Sequence, residues 1–173
     1  DSIAVSGTHG KTTTTGMLTQ LFIQAGKDPS AIIGGKLPFI GSNGRAGKSD
    51  IMICEACEYV DTFLKLSPAI SIILNIDADH LEYFGSLENI IKSFHQFANQ
   101  TSKVLIVNGD DENVKKAIKD IQDVKIITFG LGADNDYSAA NIKEEPNVFE
   151  DFTLMKQGTP LTDIRLSVPG KHN

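Results

Sequence analysis

The stretch Ile3-Ala4-Val5-Ser6-Gly7-Thr8-His9-Gly10-Lys11-Thr12 passes from an apolar run, through a glycine-rich turn, into a helical pattern. Strand, turn, Lys-Thr and helix in that order are the context of a phosphate-binding loop. Glycines let backbone N–H groups turn inward on phosphate oxygens, and the following helix adds its positive N-terminal end. Lys11 is read as a point charge for the β- and γ-phosphates, and the Thr12 hydroxyl as a ligand of nucleotide-bound Mg²⁺. Gly7, Thr8, His9, Gly10, Lys11, Thr12 and Thr13 are the candidate nucleotide-binding residues. The longer form of the motif has glycine at position 5, where this chain has Val5; what remains is the shorter Gly-Thr-x-Gly-Lys-Thr form.

Outward from the loop, short apolar runs alternate with helical periodicity. Met17, Leu18, Leu21, Phe22 and Ala25 share one stripe of a helix expected over 12–25, ended by Gly26 and Pro29. Residues 31–33, 51–54, 70–74, 104–107 and 124–129 read as strands, and 34–47 as a long glycine-rich loop. Ser86 is placed to cap a helix whose Leu87, Ile90, Ile91, Phe94, Phe97 and Ala98 share a face; another helix is expected over 111–121. This alternation predicts an α/β fold: a mostly parallel sheet with helices on both faces, like a P-loop NTPase. Past Gly130, residues 137–143, 149–156 and 162–168 read as short strands parted by turns, predicting a small antiparallel sheet. Residues 1–173 are read as a single domain, with a doubly wound core over 1–130 and an appended β segment over 131–168.

Composition narrows the function classes. Of 173 residues, 40% are hydrophobic and 22% charged, a globular balance rather than a disordered one. The net charge is −6 and no basic run occurs, which argues against nucleic acid or an anionic membrane as partner. No apolar run approaches the ~20 residues of a membrane helix, and the start lacks the basic region of a signal peptide. Two cysteines form no disulfide framework, so a cytoplasmic setting is expected. Those two, Cys54 and Cys57, fall on opposite faces if their strand continues, and are read as structural thiols.

Two strand candidates run into polar chemistry. Residues 51–54 lead to Glu55 and Glu58, and residues 70–74 lead to Asn75-Ile76-Asp77-Ala78-Asp79-His80. In an open parallel sheet, ligands bind beyond the carboxyl ends of the strands, where the phosphate loop also lies. Thr12, Glu55 and His80 are the candidate metal ligands, for Mg²⁺ or, given the histidine, Mn²⁺. Asp77 and Asp79 also fit helix-capping or turn roles, and Glu58 fits a simply exposed side chain.

Four segments together resemble the central, ATP-binding domain of the Mur ligases: residues 6–14 around the loop, Glu55-Ala56-Cys57-Glu58-Tyr59, residues 75–80, and Pro169-Gly170-Lys171-His172-Asn173. The resemblance implies ATP-dependent amide formation through an acyl phosphate. The Glu-Ala-Cys-Glu-Tyr form points to members that join L-alanine to UDP-N-acetylmuramate for peptidoglycan precursors. It further implies that Lys11 and His80 are catalytic and that Glu55 and His80 bind metal near the γ-phosphate. His172 and Asn173 would approach the nucleotide's base or ribose, and Asn43 would lie near the muramyl part. Several relatives carry a carbamylated lysine supporting a second metal; this chain shows no equivalent, since His95 falls roughly at that place and Lys92 is merely nearby. The family's N- and C-terminal domains are expected as partners in the same protein, and the piece alone is expected to bind ATP weakly and ligate nothing. Alternative readings are a sibling ligase, of the murein-tripeptide-recycling or folylpolyglutamate type, and a P-loop switch module.

Overall fold

Ile3, Ala4 and Val5 lie in strand β1 (Ser2–Ser6), with all three side chains buried. The computed structural model describes residues 1–145, 149–166 and 168. After β1 come helix α1 (Lys11–Gln24), strands β2 (Ser30–Leu37), β3 (Ser42–Arg45) and β4 (Met52–Glu55), and a 3₁₀ segment over Tyr59–Lys65. Strand β5 (Ile70–Ile73), helices α2 (Leu81–Phe84) and α3 (Leu87–Asn99), strand β6 (Val104–Asn108), helix α4 (Glu112–Ile118) and strand β7 (Lys125–Gly130) follow. Strands β8 (Tyr137–Glu145), β9 (Phe149–Lys156) and β10 (Thr159–Leu166) complete the described chain.

All ten strands form one sheet, in the order β10-β9-β8-β7-β6-β5-β1-β4-β2-β3. The run β7-β6-β5-β1-β4-β2 is parallel throughout. Side chains alternate across a strand, so β1 feeds both faces. Ile3 and Val5 sit on the side that packs α1, which also lies against β2 and β4. Ala4, Ile73, Leu105 and Val107 face the other side, in one cluster with Phe94 and Phe97 of α3 and Val114 of α4. Phe63 anchors that cluster, its ring stacked on Phe97 at 4.7 Å and edge-on to Phe94 at 5.1 Å. The predicted parallel α/β sheet with helices on both faces is what the structure has.

Three details differ from the sequence reading. The buried face of α1 is Thr15, Gly16 and Thr19, not the apolar stripe; Leu21 is 61% exposed. Small residues allow the closer approach: a Cβ on Gly16 would stand 3.3 Å from Leu37 Cδ1. The two threonine hydroxyls donate to the carbonyls of Lys11 and Thr15 one turn back, so they pack without an unpaired polar atom. Next, the expected loop over 34–47 contains strand: β2 runs on to Leu37 and β3 returns antiparallel, pairing Ala31 with Arg45 and Leu37 with Ser42. Finally, β8–β10 form the antiparallel meander expected but are continuous with the main sheet, since β8 pairs with β7 at Phe129–Tyr137 and Gly130–Ser138. β4 ends at Glu55, so Cys57 lies beyond it, exposed; Cys54 is half-buried, and burial pushes its thiol pKa up. Among the described residues no helix is long and apolar enough to cross a membrane.

Candidate nucleotide-binding site

β1 lies between β4 and β5, so the turn that leaves it is flanked by the ends of both. Gly7 has φ 141° and Gly10 φ 85°, conformations that need glycine. A Cβ on Gly7 would also press within 3.0 Å of Leu74 Cβ and 3.2 Å of the Asn75 nitrogen. The β5 side braces the turn. Thr8 N–H donates to Asn75 O at 3.0 Å, and Asp77 N–H donates to Thr8 Oγ1 at 2.9 Å. His9 N–H donates to Asn75 Oδ1, and Asn75 Nδ2–H donates to His9 O. Helix α1 starts with no side-chain cap and no acidic residue in its first turn, which leaves its positive end open to an anion. His9, Thr12 and Thr13 are exposed on this rim, whereas Thr8 is 7% exposed and serves as a brace.

The β4 side supplies charge. Glu55 closes β4 with one oxygen on each neighbour: Oε1 accepts from Thr12 Oγ1 at 3.0 Å and Oε2 from Gly34 N–H at 2.7 Å. That fit requires glycine in β2, because a Cβ on Gly34 would lie 2.6 Å from Glu55 Oε2. Gly35 also approaches the loop, its Cβ position being 3.2 Å from Thr12 Cγ2. A hydroxyl and a carboxylate oxygen side by side at the mouth of a phosphate loop are hard donors, and they fit Mg²⁺, which takes its remaining ligands from phosphate and water. Lys11 Nζ donates to Gly7 O at 2.6 Å, to Thr8 O at 3.1 Å and to Glu58 Oε1 at 3.1 Å.

Glu58, for which the sequence also fits simple exposure, is 2% exposed and ion-paired with Lys11. The 3₁₀ segment that turns it inward carries no periodicity that sequence reading could use. Asp77 and Asp79 take turn roles, their carboxylates accepting from the N–H groups of Ala78 and His80. His80 has φ 51°, packs against Tyr59 with ring centroids 4.7 Å apart and the planes tilted by 47°, and has Asp79 and Glu82 as its charged neighbours. The structure therefore gathers Lys11, Thr12, Glu55 and Glu58, and sets His80 against the ring of Tyr59, the residue after Glu58. Among the described residues, no three His, Cys, Asp or Glu side chains converge as a metal cluster.

Asn43 lines an open cleft of about 440 Å³ with Gly34, Gly35, Lys36, Gly41 and Ser42, next to Glu55. Lys92 is exposed and paired with Glu88 at 3.5 Å, while a His95 ring nitrogen is 2.8 Å from Ala117 O, bridging α3 to α4. His172 and Asn173 lie outside the described residues.

Comparison with known proteins agrees with the fold. Residues 5–173 match the family described as the Mur ligase middle domain. Proteins named UDP-N-acetylmuramate–L-alanine ligase are similar: one from Clostridium botulinum is 43% identical over 99% of this chain, which covers 38% of that protein. One from Acetivibrio thermocellus is also 43% identical over 99% of this chain, covering 37% of its own length. The chain thus spans less than two-fifths of the relatives it matches. A UDP-N-acetylmuramate–alanine ligase structure from Thermotoga maritima superposes with TM-score 0.85 at 27% identity, covering 99% of this chain and 38% of that one. A UDP-N-acetylmuramate:L-alanyl-γ-D-glutamyl-meso-diaminopimelate ligase from Neisseria meningitides also reaches 0.85, at 24% identity over 99% of this chain and 56% of that one, and shares the fold.

Proposed function

Since the chain belongs to the Mur ligase family as a middle domain, we propose that it binds Mg-ATP at residues 7–13 and carries out the phosphoryl-transfer half of an amide-forming reaction. In this reading the intact protein joins L-alanine to UDP-N-acetylmuramate in the cytoplasm, in line with the names of its 43%-identical relatives. The observation that carries the proposal is Glu55: one carboxylate touches Thr12 on the loop and Gly34 on the floor of the adjoining cleft.

Two anions must meet for phosphoryl transfer, so the site's work is positioning and charge neutralisation. Lys11 and the open start of α1 bring positive charge to the transferred phosphate. Thr12 and Glu55 are the residues that would hold Mg²⁺, which when bound offsets the charge that builds on the phosphate oxygens. His80 is proposed as a further metal-binding residue from the Tyr59 side, His172 and Asn173 as nucleotide contacts, and Asn43 as a contact for the muramyl substrate in the cleft. Asn75 holds the loop's shape through its two bonds to His9.

The test is phosphate release by the full-length protein given ATP, UDP-N-acetylmuramate and each candidate amino acid in turn. Release that needs both UDP-N-acetylmuramate and L-alanine supports the reading. Release with a murein tripeptide in place of L-alanine moves the assignment to a sibling ligase, and turnover of ATP alone, indifferent to both, moves it to a nucleotide switch.

A further inference from the structure

Lys11 and Glu58 form an ion pair that the nucleotide reading leaves without a role. The ammonium has three N–H donors, and Gly7 O, Thr8 O and Glu58 take all of them. None remains for a phosphate oxygen. On the other side, Glu58 Oε2 is 2.9 Å from Lys11 Nζ and has no hydrogen-bond partner of its own. The Glu58 side chain is 3% exposed and that of Lys11 is 13% exposed. A triphosphate that draws Lys11 forward therefore leaves a buried carboxylate without its counter-ion, next to an incoming anion.

Glu58 is not free to follow the lysine out. Its carbonyl accepts from Asp61 N–H at 2.9 Å, and Val60 and Asp61 in that turn both hold φ 53°, a conformation a β-branched valine adopts only when its surroundings impose it. The surroundings do impose it: the Asp61 carboxylate accepts from Ser93 Oγ and from Tyr83 Oη, and Phe63 is locked between Phe94 and Phe97. Breaking a buried pair by removing one partner is costly because the remaining charge has neither water nor counter-ion. A cation that arrives with the phosphates restores the balance; bare polyphosphate does not.

We propose that Glu58 is a positioning residue which holds Lys11 back from the phosphates and makes nucleotide binding conditional on an accompanying divalent cation. The inference rests on the reading of residues 7–13 as a nucleotide site and adds to it a selectivity for metal-loaded over metal-free nucleotide. It acts through Lys11, and is separate from the Thr12–Glu55 oxygen pair.

The experiment is calorimetric titration of the full-length protein and its Glu58→Gln variant with ATP, once in excess Mg²⁺ and once in EDTA. Glutamine keeps the size and removes the charge. We expect the wild type to bind ATP far more weakly in EDTA, and Glu58→Gln to tighten metal-free ATP about tenfold, a shift of about 1.4 kcal/mol. Its affinity for ATP in Mg²⁺ should change much less, so the ratio between the two conditions shrinks. An unchanged ratio, or weaker metal-free binding in the variant, overturns the proposal. A variant that fails circular dichroism is replaced by Glu58→Asp, which retains the charge and should retain the wild-type ratio; a collapsed ratio there also overturns it. If the wild type binds no ATP in Mg²⁺, the nucleotide reading itself falls and this inference with it.

Discussion

Asn75 and His9 are clasped through two hydrogen bonds, His9 N–H to Asn75 Oδ1 at 2.8 Å and Asn75 Nδ2–H to His9 O at 3.0 Å, across 66 positions of sequence. The amide side chain thus copies a strand pairing and fixes the loop's crest to the end of β5. Each bond contributes on the order of 1 kcal/mol net. Asn75→Ala is expected to weaken Mg-ATP binding several-fold and lower stability by about 1–2 kcal/mol, measured by calorimetry and urea unfolding. Asn75→Asp, which keeps the acceptor but loses the donor and adds charge beside the phosphates, should impair binding more than it impairs stability.

Gly34→Ala places a methyl 2.6 Å from Glu55 Oε2, just past the residues that pair β2 with β4 at Ser30–Met52, Ala31–Ile53 and Ile32–Cys54. The strain should be relieved by rotating Glu55 away from Thr12. Because the clashing atoms are the end of a side chain that can turn, the cost to stability should be small, and the expected readout is a loss of Mg²⁺-dependent ATP binding with the circular dichroism spectrum retained. Normal metal dependence in this variant would show that Glu55 is not the metal-side carboxylate.

Phe63→Ala removes the ring stacked on Phe97 and empties the centre of the cluster beneath α3. A loss of about 3–5 kcal/mol is expected, read as a lower urea midpoint with little change in slope. Phe63→Leu should recover much of the difference.

Acid should loosen the junction between β7 and β8. Burial alone would raise the Asp110 pKa, but hydrogen bonds from Asn135, Gly132 and Leu131, with Lys115 nearby, outweigh it and hold the group below its ordinary value of 3.8. Asp136 is lowered as well, chiefly by the Thr128 N–H, against some burial. A carboxylate depressed on folding contributes stability that is present above its unfolded pKa and lost as pH falls through the folded one. Urea midpoints should therefore fall below about pH 4. Asp110→Asn should be less stable at neutral pH and show a shallower acid slope.

What sequence pattern can show here is what short-range rules encode. The strand–glycine–Lys–Thr–helix order places the loop, and continuous apolar runs mark the buried strands of a parallel sheet. Glu55 is legible because it follows such a run. Glu58 is not: three residues later, its burial depends on Val60 and Asp61 adopting φ 53°, which no local preference favours. The face of α1 was hidden for a different reason. Its large apolar residues suggest the buried side, yet close approach to β2 selects Thr15, Gly16 and Thr19, and threonine hydroxyls that bond within the helix behave as small apolar groups. The β2–β3 hairpin was masked by its own glycines, which depress strand propensity while letting the backbone press against Glu55.

The side chains and backbone that shape the phosphate turn come from segments 43 to 69 positions away along the chain, at and just past the ends of the strands flanking β1. Contacts of such separation carry a closure entropy that local turns do not, so they form late when a polypeptide collapses. The cradle cannot pre-exist as a peptide motif: residues 6–14 on their own have nothing to hold their glycines in place. Affinity for ATP is thus a reporter of completed sheet assembly, and in a refolding time course it should appear only after helical signal has returned.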